Sequence, residues 1–127
     1  MGYKEEALEI LKESNVIDGY SVMPVDIVQK RKEGVKRVIE GIHLPRLKKG
    51  GVNGLICALY VETKYKPERS LKRALELLSH TLADIDESNN VELCLTATDI
   101  EATIRSGKLA ILLSLEGAEP IGTDLSI

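Results

Sequence analysis

Two stretches of the chain are apolar at nearly every position, and helical patterning fills the space between turns. Residues 54–61, GLICALYV, and residues 109–115, LAILLSL, are such runs. A strand that is apolar on both faces belongs in the middle of a parallel sheet covered by helices. Between them, Leu71, Ala74, Leu75, Leu78, Leu82 and Ile85 recur at three- and four-residue steps. That spacing predicts an amphipathic helix with these residues on its apolar face. Near the N-terminus, Ala7, Leu8, Ile10 and Leu11 show the same period, so residues 4–13 are expected to be helical.

A short strand, Asn15–Asp18, is expected to follow and to stop at Gly19. Pro24 then stands where a helix can begin, with Asp26 in its first turn. Val28, Val35, Val38 and Ile39 fit one face of that helix, although Gly34 weakens it. HLPRLKKGG reads as a short helix closed by Gly50-Gly51. VELCLT adds a short extended piece. Thr98-Asp-Ile-Glu101 has the form of a capping box, opening a helix that ends at Gly107.

Helices alternate with strands throughout, which predicts right-handed βαβ crossovers and a parallel sheet. Chemistry collects at the C-terminal ends of such strands. Three segments fall there: residues 18–22, residues 62–65 and residues 116–119.

Composition narrows the classes. The chain has 127 residues, with 17 basic and 20 acidic side chains and a net charge of −3. The size suits a single domain, residues 1–127. Mild acidity and the absence of Trp and Phe argue against a nucleic-acid surface. No apolar run reaches the length of a membrane span, and MGYKEEALEI is not an export signal, so the expected location is cytoplasmic. Cys57 and Cys94 sit in apolar runs and read as core thiols. The chain has no nucleophile elbow, no glycine-rich phosphate loop, and no His or Cys pair at zinc-ligand spacing.

Three blocks, in order, resemble the membrane (renal) dipeptidase family of zinc metallopeptidases. Val16-Ile-Asp-Gly-Tyr20 with Met23-Pro24 resembles the family's Ile-Asp-Gly-His-x-Asp-x-Pro. Leu44-Pro-Arg-Leu-Lys-Lys-Gly-Gly-Val52 resembles its Asp-Leu-Pro-Arg-Leu-x-x-Gly-Gly-Val. Residues 98–110, running into Ser114-Leu-Glu-Gly117, resemble the helix and strand that lead to its Ile-Glu-Gly.

The resemblance implies a (β/α)8 barrel with two zinc ions at its C-terminal mouth. It also implies dipeptide hydrolysis by metal-bound hydroxide. In the family, the His and Asp of the first motif bind one zinc, the Glu after the third strand bridges both, and two later His residues complete the second site.

This sequence departs from that pattern. Tyr20 stands at the His position and Val22 at the Asp position, while Glu116 matches the bridging glutamate. The family's Trp of the second strand region is replaced by Cys57 or a neighbour. One carboxylate does not hold zinc where three or four ligands are usual. Asp18 would either stand behind a metal's ligands or form a turn before Gly19, and the turn is the preferred reading. Tyr20 is expected to pack its ring against the barrel end. His43 suits a helix start and His80 a boundary position. Lys30-Arg31-Lys32 and Arg46 with Lys48-Lys49 read as solvated helix surface.

The fold expected is therefore α/β, the first three to four βα units of a (β/α)8 barrel. The function expected is that of a zinc-dependent dipeptidase homologue or fragment, inactive alone and binding no zinc. The alternative is a non-catalytic module that pairs with itself or with a second chain completing the barrel, since open strand edges need cover.

Overall fold

The computed structural model describes residues 2–126, and its centre is a four-stranded, all-parallel sheet in the order β1-β2-β4-β3. Helix α1 (Tyr3–Glu13) leads into β1 (Val16–Ser21), then α2 (Met23–Lys32). A wide helical turn, Ile39–His43, runs directly into α3 (Leu44–Lys49) and β2 (Val52–Tyr60). Helix α4 (Ser70–Asp86), the short β3 (Val91–Leu93), α5 (Ala97–Arg105) and β4 (Leu109–Glu116) complete the order. This is the parallel α/β sheet that the alternation predicts, and it agrees with the partial barrel that the resemblance implies. The short β3 lies outside β4, pairing Val91, Glu92 and Leu93 with Leu109, Ala110 and Ile111. Among the described residues, the C-terminal half of β4 therefore has β2 on one side and no strand on the other.

Alternation along the central strands divides the sheet into two faces. Leu55, Cys57, Leu109 and Ile111 point to the helices and are 2% exposed or less. They form one core with Met23, Ile27, Val38, Ile39, Leu44, Ile85 and Val91. Leu59 joins Val28 and Leu77 in a second, smaller cluster. Ile56, Leu112 and Ser114 alternate with these residues, lie outside both clusters and are half-buried. In β4, burial is complete only at Leu109–Ile111, and Leu115 is 44% exposed. A strand buried on both faces along its whole length was expected there. The missing outer neighbour explains the difference.

Three other expectations change. β1 does not stop at Gly19 but runs to Ser21, because pairing with β2 continues across an irregular register between Asp18 and Ser21. Helix α2 ends at Lys32, where Gly34 takes φ +87°. Val38 and Ile39 belong to the next turn. The cap of α5 is Thr96 with Asp99, two residues before the predicted box. The Asp99 amide donates to Thr96 Oγ1 at 3.1 Å, and Asp99 Oδ2 accepts from the Leu95 and Thr96 amides at 3.1 and 2.9 Å.

The largest revision concerns α4. Its buried residues are Ser70, Arg73, Ala74, Leu77, Thr81, Asp84 and Ile85. Leu71, Leu75 and Leu82 are 57%, 55% and 37% exposed. The helix thus turns much of its leucine stripe outward and its polar groups inward. Asp84 explains why. Its carboxylate accepts from the Val38 and Ile39 amides at 2.8 and 2.9 Å and from Arg31 at 3.1 Å. These bonds fix the helix rotation and satisfy the start of the wide turn. Arg31 also pairs with both oxygens of Glu87, at 2.9 and 3.0 Å, so it is a structural cation and not part of a wet surface run.

Candidate functional site

Tyr20 and Glu116 come together at the C-terminal end of the sheet, from strands that are not neighbours. The Tyr20 hydroxyl donates to Glu116 Oε2 at 2.7 Å. β1 and β4 are separated by β2, so the contact spans two inter-strand spacings, about 10 Å. A direct bond across that gap needs a side chain as long as tyrosine. Glu116 is the last residue of β4, level with Tyr60 of β2. Tyr20 is 57% exposed, so its ring is not packed as expected. Its phenol is held above the usual tyrosine range, first by the bond to Glu116, then by partial desolvation and the nearby negative charge. The protonated phenol is therefore the form this contact favours.

The remaining predicted positions surround this bond. Asp18 Oδ1 accepts from the Tyr20 amide at 3.1 Å within the continuing strand. Val22 precedes α2, is 41% exposed and offers no ligand atom. Cys57 has its thiol pushed up to about 12, by burial and then by the charge of Asp18, so it stays protonated at neutral pH. His43 bonds through Nε2 to Asp26 at 2.8 Å, within the helix layer. His80 is half-buried, and Arg46, Lys48 and Lys49 are exposed.

Sequence reasoning did not single out Tyr60 or Lys66, and placed Glu119 only within the segment 116–119 at the end of a strand. Lys66 donates to Glu119 Oε1 at 2.6 Å and lies 5.6 Å from the centre of the Tyr60 ring. This pair ties the loop after β2 to the loop after β4. Glu119 folds back over Gly117, which takes φ +81°, so the turn after β4 favours glycine at this position. Deeper in the same end, Arg73 is 5% exposed and forks onto Glu62 at 2.8 and 2.7 Å and onto Glu76 at 2.7 Å. These partners lie 11 and 3 residues away, and only the first pairing depends on the fold.

The donor set does not fit a two-zinc centre. Among the described residues, no three His, Cys, Asp or Glu side chains come together as a metal site. At the mouth, the first motif offers a phenol and a valine, and the carboxylate is engaged by the phenol.

Comparison with known proteins agrees with the motif blocks. The model of the membrane dipeptidase family, peptidase family M19, matches residues 4–127. The chain belongs to the membrane dipeptidase family. Two solved metallopeptidases share its fold, the first of them from family M19. One is the metallopeptidase dipeptidase AC, with a TM-score of 0.70 and 24% identity. The other is a metallopeptidase from Rhodobacter sphaeroides, solved with a phosphinate mimic of the dipeptide L-Ala-D-Ala, with a TM-score of 0.71 and 20% identity. Each alignment covers 84% of this chain, but only 36% and 39% of those chains. At these identities they establish the fold alone. A further sequence likeness, 30% identity over 97 residues, is to U3 small nucleolar RNA-associated protein 10 of Schizosaccharomyces pombe. It takes in 76% of this chain and 6% of that protein, so nothing of that protein's assembly carries over.

Proposed function

We propose that this chain is a metal-free portion of a dipeptidase barrel that does not hydrolyse dipeptides by itself. The single observation behind this reading is the 2.7 Å bond between Tyr20 and Glu116. On the family pattern, these are a lost ligand position and the surviving bridging carboxylate. A zinc ion there would have to displace the phenol from Glu116. It would gain one carboxylate, whereas catalytic sites use about three protein ligands. Without the cation there is no group to lower the pKa of water or hold a developing oxyanion.

The experiment is turnover of L-Ala-D-Ala by the purified chain, with and without added zinc. No hydrolysis above buffer is expected in either condition. Zinc-dependent turnover that Glu116→Gln abolishes would overturn the reading.

A second reading, a module that associates with another polypeptide, draws on the uncovered features. The upper edge of β4 has no strand beside it. Beside it, Leu59, Leu71, Ala74, Leu75, Leu78, Leu115, Pro120 and Ile121 line an apolar cleft of about 430 Å³. A concentration-independent monomer in sedimentation, with no heterologous partner strand bound, would remove it.

A further inference from the structure

The beginning of α4 gathers more cations than the ion pairs there neutralise. Tyr65, in the turn after β2, carries three of them against its ring. Lys64 Nζ lies 5.1 Å from the ring centre, and the Arg69 and Arg73 guanidinium carbons lie 5.3 and 4.8 Å away. These charges are therefore within about 10 Å of one another, roughly one Debye length at 0.1 M salt, so their fields add most strongly at low ionic strength. Arg73 is matched by Glu62 and Glu76, and Lys32 by Glu76. Among the described residues, Lys64, Arg69 and Lys72 form no ion pair. Of these five cations only Lys32 and Arg73 are in ion pairs among the described residues, in a chain whose net charge is −3.

Three further observations fall in the same place. The first turn of the 17-residue α4 contains no acid, and no side chain caps it. Its dipole therefore adds positive potential that the chain leaves unanswered. The Ser70 hydroxyl in that turn is 1% exposed and has no hydrogen-bond partner. Lys32, Tyr65, Arg69, Lys72, Arg73 and Leu75, with Glu76, line a cleft of about 460 Å³, within the size range of small-molecule sites. Arg69 spends one donor on the Lys64 carbonyl, at 3.0 Å, and its remaining N–H groups are free to fork onto an oxyanion. Leu75 gives the cleft an apolar side.

We propose that this cleft binds a small organic oxyanion, with its phosphate or carboxylate at Arg69 and Lys72 and its apolar body against Leu75. Tyr65 is the positioning residue. Its ring holds the guanidinium of Arg69 beside it, which limits the fork's freedom before the ligand arrives. The site is separate from the Tyr20–Glu116 contact and does not depend on whether that contact excludes a metal.

The test is an amide chemical-shift titration of the full chain with phenyl phosphate, phenylacetate and inorganic phosphate. Saturable shifts centred on residues 65–75 are expected for phenyl phosphate, with a dissociation constant near 1 mM or tighter. Inorganic phosphate, lacking the body, should bind more weakly. Saturation by phenylacetate in place of phenyl phosphate would support the site and assign it to carboxylates. The Arg69→Gln/Lys72→Gln pair changes only exposed side chains, and should weaken binding about tenfold or more with an unchanged unfolding midpoint. Absence of saturation with both aryl anions, or equal affinity in the double variant, would overturn the proposal.

Discussion

Two carboxylates, Asp84 and Glu116, are treated in opposite ways by this fold. Asp84 is fully buried and holds two backbone amides and an arginine, all more than 40 residues away. Glu116 is half-exposed and accepts one phenol. The first joins α2, the wide turn and α4 into one layer. The second closes over the mouth, where the family places its chemistry. Asp84 therefore ties several elements together, whereas Glu116 joins only two strand ends.

The sharpest way to break that contrast is to remove each carboxylate. Asp84→Ala removes the acceptor of the Val38 and Ile39 amides and one of the two carboxylates that pair with Arg31, and should cost about 3–5 kcal/mol in denaturant unfolding. Glu116→Gln should give no measurable shift. Similar losses at both positions would refute the division. The outward leucines sharpen it next. Leu77→Ala, at a fully buried position, should cost about 2–5 kcal/mol. Leu75→Ala, 55% exposed, should stay within about 0.5 kcal/mol in the monomer.

Acid supplies a smaller, distributed effect. Burial works against ionising Glu62, but its two bonds from Arg73 outweigh this and lower its pKa. Lys32 and then Arg73 lower that of Glu76, and Arg31 lowers that of Glu87. A depressed folded-state pKa gives stability that is present above the unfolded value, about 4.3 for Glu, and is lost as pH falls through the folded values. The unfolding midpoint should be level from about pH 6 to 8 and fall below about pH 4. At the mouth, the effect is spectroscopic. Tyr20 has a raised pKa, so its phenolate absorbance should appear later than that of an ordinary tyrosine, above about pH 10. Glu116→Gln should bring that step back down, and Tyr20→Phe should remove it.

The strands and the parallel order were legible because continuous apolar runs bounded by turns have few other solutions. The motif blocks placed the chain in its family, and they marked Tyr20 and Glu116 before any geometry was known. Their hydrogen bond was not legible, since 96 residues separate them and only the sheet order brings them level. The orientation of α4 was misread for a related reason. Periodicity locates a leucine stripe, but not which side of the helix the rest of the chain occupies. Asp84 decides that through partners 45 to 53 residues away. Arg31 was hidden inside a run of three basic residues, where only the position of Asp84 separates it from Lys30 and Lys32. The α5 cap slipped by two because Thr96 with Asp99 and Thr98 with Glu101 both have capping-box spacing.

The most direct measurement is the zinc content of the purified chain by elemental analysis after dialysis against trace zinc, beside the Tyr20→His/Val22→Asp variant. The account predicts far less than one zinc per chain in the wild type, and a rise towards about one when His and Asp at these two positions join Glu116. Stoichiometric zinc in the wild type, lost on Glu116→Gln, would contradict it.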